Sequence, residues 1–136
     1  MRGCILWLIF LFISSLSFAS QQEIVVNDST IKIFLEIFPQ YKKIMSEYVN
    51  LPENKMDVDA TYTYKKKIDS LLGKYNMSLD EFSLLASRVS VGYTIVSLRR
   101  AGIEVDEDKF SLKLSPEELA VIEEHFLSIK EIMEEK

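Results

Sequence analysis

The chain has 136 residues, with 16 Lys and Arg against 21 Asp and Glu for a net charge of −5, and it holds one cysteine and one histidine. The acidic balance argues against general nucleic-acid binding and against docking on anionic membranes, both of which need basic patches. One histidine and one cysteine are too few for the usual zinc ligand sets.

Residues 1–19 read as a secretory signal peptide. Arg2 is their only charge, Cys4 to Ile13 is an unbroken apolar run, and Ser17 and Ala19 supply small residues at −3 and −1 of a cut before Ser20. The alternative is an uncleaved anchor, but the 16 residues from Cys4 to Ala19 fall short of the roughly 20 that a spanning helix needs. Cleavage leaves 117 residues, numbers 20–136, which is the size of one domain. The only cysteine leaves with the signal, so the mature domain forms no disulfide and must stand on its core. An exported domain without disulfides fits a bacterial periplasm better than an animal secretome. The mature charge is −6 once Arg2 is gone.

The first predicted helix is capped by Asn27 or Asp28. Its apolar stripe is Ile31, Phe34, Leu35, Phe38, Tyr41, Met45 and Tyr48, with Lys42 and Lys43 facing water. Pro39 interrupts it and predicts a kink or a division into two pieces. Residues 50–60 are a linker. A second helix follows over about 59–74, with Tyr64, Ile68, Leu71, Leu72 and Tyr75 on its apolar face and Lys65, Lys66 and Lys67 as a basic cluster. It should form a hairpin with the next helix through a turn containing Asn76.

That next helix, 79–101, is the one around which the fold is expected to form. Ser78 and Glu81 make a capping box, Met77 and Phe82 a hydrophobic staple, and Gly102 a left-handed stop. It spans about 34 Å. Phe82, Leu85, Ala86, Val89, Tyr93 and Val96 form one apolar face, and Leu84, Val91, Ile95 and Leu98 form a second on the opposite side. Ser83, Ser87, Ser90 and Thr94 make a hydroxyl strip between them, and Arg88 and Arg99 lie on the other strip. The second face is either core or an interaction groove. An acidic connector, 103–114, leads to a last helix opened by Ser115, Pro116 and Glu118, with Leu119, Ile122, Phe126, Ile129 and Met133 inward. The expected fold is all-α: a bundle of four helices, or five where Pro39 divides the first, around helix 79–101.

Catalytic patterns are weak. His125 stands alone at the edge of the last apolar face, no Gly-x-Ser-x-Gly or glycine-rich phosphate loop occurs, and the pattern Asp106, Asp108, Glu117 fails as a calcium loop at Phe110 and Ser111. No catalytic residue, cofactor or metal ligand is assigned. Tyr62 and Tyr64 precede the lysine cluster, an aromatic-then-basic arrangement suited to a partner surface, although tyrosines at a core edge read the same way. Arg88 and Arg99 either meet an anionic partner or pair with glutamates of a neighbouring helix. The chain thus reads as an exported, non-enzymatic domain, periplasmic or secreted and of bacterial type. It binds a protein partner or itself through Leu84, Val91, Ile95, Leu98, Tyr62, Tyr64, Arg88 and Arg99. Neither nucleic acid nor a membrane span after cleavage is expected. The alternative is a small carrier for an apolar ligand such as a fatty acid or lipid.

Overall fold

The computed structural model describes residues 24–134. The predicted signal peptide, with its cut and Cys4, lies outside the described residues. These form five helices: α1 (Asp28–Val49), α2 (Val58–Gly73), α3 (Leu79–Arg100), α4 (Pro116–Glu124) and α5 (Phe126–Glu134). Short 3-10 turns occupy Glu53–Lys55 and Glu107–Lys109. Among the described residues there is no strand, and no helix is long and apolar enough to cross a membrane.

Local chemistry sets the helix ends. Asn27 accepts from Thr30 N at 2.9 Å while the Thr30 hydroxyl accepts from Asn27 N at 2.9 Å, a reciprocal cap. Asp57 accepts from Ala60 N at 2.8 Å, and Ser78 from Glu81 N at 3.1 Å. Ser115 and Glu118 close the second reciprocal cap, at 3.1 Å each way. Two helices stop alike. Gly102 at φ 77° lets Ile103 N reach Leu98 O at 2.9 Å, and Asn76 at φ 52° lets Met77 N reach Leu72 O at 3.2 Å. Both are left-handed C-terminal motifs, and asparagine is the side chain that best tolerates that region after glycine.

Helix α3 packs against all four other helices, and so does α1, so the centre is a pair of helices and not α3 alone. Phe34, Phe38, Tyr41 and Phe82 form an aromatic cluster between them, with ring centroids 5.0 Å apart for Phe34–Phe38 and 5.2 Å for Tyr41–Phe82. Burial pushes the Tyr41 phenol up to about 12.

Three expectations change. Helix α1 runs undivided from Asp28 to Val49 with Pro39 inside it. The proline forfeits one backbone bond, but Ile31, Phe34, Ile37, Phe38, Tyr41 and Met45 are buried on both sides of it and hold the two halves in one helix. The fifth helix comes instead from the last one, which breaks at His125 between α4 and α5. Lys42 is half-buried and not simply solvated: its ammonium donates to Ile132 O at 3.2 Å, in the last turn of α5, where the helix dipole favours a cation.

Candidate functional site

The second face of α3 is largely core. Val91 is 8% and Ile95 2% exposed, and only Leu84 and Leu98 remain half-buried. The connector 103–114 covers the C-terminal part of this face, where Leu112 and Leu114 come together with Ile95 around a small cleft of about 90 Å³. Gly92 of α3 lies against the Ile122 side chain of α4. A Cβ placed there would lie 2.1 Å from Ile122 Cδ1 and 3.0 Å from Leu114 Cδ1. Most of the hydroxyl strip is also enclosed, with Ser83, Ser87 and Ser90 buried and Thr94 exposed. Ser87 Oγ donates to Ser83 O at 2.8 Å and Ser90 Oγ to Ala86 O at 2.7 Å, so α3 satisfies these two hydroxyls itself, while the Ser83 hydroxyl is buried without a partner among the described residues.

Arg88 is used inside the fold. Its Nε donates to Glu118 Oε2 at 2.8 Å, and its Nη2 donates both to Glu118 Oε1 and, at 3.2 Å, to Lys113 O. Glu118 also accepts from Val26 N at 3.0 Å and from Ser115 N at 3.1 Å. The Arg88–Glu118 pair thus joins the N-terminal segment, α3, the connector and α4. The Glu118 side chain is only 5% exposed. Burial is the largest single influence and acts to raise its pKa. The Arg88 hydrogen bonds and charge and the two backbone donors together outweigh it, holding the carboxyl down at about 2 against an ordinary 4.5. Arg99 pairs with Glu107 at 2.8 Å on the surface, within the connector and not on a neighbouring helix. Neither arginine lies beside Tyr62 and Tyr64.

Those tyrosines lead to a different place. Tyr64 is half-buried against Tyr48, centroids 5.3 Å apart, with the Lys67 ammonium 4.6 Å from its ring centre. Tyr62 is 59% exposed, with Lys66 4.8 Å over its ring. Tyr62 stands at an open groove of about 580 Å³ between α1 and α2. Leu71 and Ile44 supply its apolar lining, and Lys66, Lys67 and Lys74 make it basic. Lys67 also pairs with Glu47 at 3.6 Å, and both partners there are about half exposed. Helical spacing aligns these side chains: positions 63, 66, 67, 70 and 74 recur every three or four residues along one face of α2. The sequence marks Tyr62 and the lysines, but Gln40 and Ile44, which come from α1, carry no local signal.

A second cluster was not expected. Asp28 in the first turn of α1 meets Glu124 and His125 at the break between α4 and α5, with one donor atom of each within 4.8 Å of the others. His125 Nε2 lies 3.5 Å from Asp28 Oδ1.

No family model matches the chain, and neither a curated protein nor a solved structure shows significant similarity to it.

Proposed function

We propose that this chain is an exported, non-enzymatic helical domain that binds an acidic segment of a partner protein in the groove between α1 and α2. The observation that carries the reading is Tyr62, a large aromatic ring left 59% exposed beside Lys66, Lys67 and Lys74 on a chain whose net charge is −5. Aromatic anchors with adjacent cations are the side chains that most often dominate protein interfaces, and charge complementarity selects an acidic partner. The groove's open form speaks for a broad contact over an enclosed ligand, since pockets for small molecules bury most of the ligand's surface. Only Ile44 and Leu71 offer aliphatic surface in it, which suits a fatty acid or lipid poorly. Self-association through the second face of α3 has little left to use, because Val91 and Ile95 are covered.

The test is capture of exported proteins on the immobilised chain, comparing wild type with Lys66→Glu/Lys74→Glu. The proposal expects a partner that is retained at low salt, released as salt rises and lost to the double variant. Equal retention by both proteins would refute it. Light scattering on the free chain identifies a second copy as the partner if the mass doubles and the same variant abolishes the doubling.

A further inference from the structure

We propose that Asp28, Glu124 and His125 form a divalent metal site, with Zn²⁺ as the preferred ion. The three residues come from opposite ends of the described chain, and the fold places their donor atoms within 4.8 Å of one another. One imidazole nitrogen and two carboxylate oxygens are a donor set that Zn²⁺ accepts, with water free to complete four-coordination. An imidazole favours zinc and its neighbours over the hard ions Mg²⁺ and Ca²⁺, which select oxygen.

The spacing supports this. Metal–ligand bonds of 2.0–2.2 Å put tetrahedral ligands about 3.4 Å apart. His125 Nε2 and Asp28 Oδ1 are 3.5 Å apart, within ion-pair reach and equally a co-ligand separation. The third atom needs to close by at most about 1.4 Å, and Glu124 is exposed and able to turn. The imidazole is the fixed member. It is 20% exposed and stands between Ile122 and Phe126, both buried, at the point where α4 gives way to α5. The positive end of the α1 dipole opposes a cation here, while the C-terminal end of α4 favours one. An ion so placed would clip the start of α1 to the α4–α5 junction.

The test is a Zn²⁺ titration of the untagged full chain by calorimetry, with Co²⁺ absorption as a second reading of coordination. The proposal expects one Zn²⁺ per chain and a melting temperature raised by the ion. His125→Gln and Asp28→Asn should each weaken binding more than 10-fold, beyond the low end of what loss of a supporting partner alone costs. Both variants are compared with wild type by circular dichroism in the absence of metal. If His125→Gln unfolds, the Asp28→Asn titration decides the matter, because Asp28 is 68% exposed and its replacement leaves the core untouched. No stoichiometric binding, several weak sites, or binding unchanged in the folded variant overturns the site.

Discussion

Gly92→Ala should destabilise this protein, against the usual rule for helices. Alanine in a helix interior gains about 1 kcal/mol over glycine from backbone propensity alone. Gly92 lies well inside α3, so that gain is available. The new methyl, however, would sit 2.1 Å from Ile122 Cδ1, where carbon atoms rest at about 3.5 Å or more. Something must move by roughly 1.5 Å. Ile122 is fully buried, so its displacement passes to its neighbours. Over-packing of this kind costs about 1–3 kcal/mol. Gly92 is also one helical turn from Arg88, as Ile122 is from Glu118, so forcing α3 and α4 apart strains the ion pair that joins them. The net expectation is a loss of up to about 2 kcal/mol in urea unfolding, read as a lower midpoint at constant slope. Ile122→Val removes the clashing carbon and costs about 0.5–1.5 kcal/mol alone. In that background Gly92→Ala should be neutral or stabilising. Gly73→Ala is the control. Nothing lies within 4 Å of its Cβ position, and it should stabilise by about 0.4–1 kcal/mol. If Gly92→Ala alone stabilises as Gly73→Ala does, the close approach of α3 and α4 is wrong.

Glu118 supplies a pH dependence of known sign. Its carboxyl titrates lower in the folded chain than in the unfolded one, so its contribution is complete above about 4.5 and is lost as the pH falls towards about 2. The difference is worth about 3 kcal/mol. Glu118→Gln should cost a similar amount at pH 7, by leaving Arg88 half-buried without its counter-charge, and should flatten the acid limb of the stability curve. An unchanged acid limb in that variant would contradict the assignment. Val89 is fully buried, so Val89→Asp should cost several kcal/mol and lower the melting temperature sharply; an unchanged melting temperature would mean that this part of α3 is not core. Tyr62→Ala should leave stability within about 0.5 kcal/mol while abolishing partner capture, and a large stability loss would make Tyr62 a structural residue.

What the sequence reveals is what local chemistry decides. The caps at Asn27, Ser78 and Ser115 and the stop at Gly102 depend on neighbours within a few residues, and they appear where expected, although Ser78 caps alone and Glu81 does not close the box. The inward faces are equally legible: Leu119, Ile122, Phe126, Ile129 and Met133 are all buried. What stays hidden depends on partners far along the chain. Glu118 reads as a capping glutamate, but its other partners, Arg88 and Val26, lie 30 and 92 residues away. His125 reads as a lone histidine for the same reason, because Asp28 reaches it only through the packing of α1 against the last two helices. Ser83, Ser87 and Ser90 read only as a hydroxyl strip, with no sign that they are buried. Helical carbonyls satisfy Ser87 and Ser90 from within, and small side chains cost little volume in a core. Pro39 signals a division of the helix that does not occur. Its local penalty is real, but the apolar residues flanking it outweigh one lost bond.

The most direct test of the proposed function is photo-crosslinking in cells that export the chain, with a benzophenone amino acid at position 62 and, as control, at position 127. Leu127 is 72% exposed and lies on α5, away from the groove. A partner seated in the groove gives one discrete adduct from position 62, lost when Lys66 and Lys74 are reversed to glutamate, and none from position 127. No adduct from position 62, or the same adducts from both positions, would contradict it.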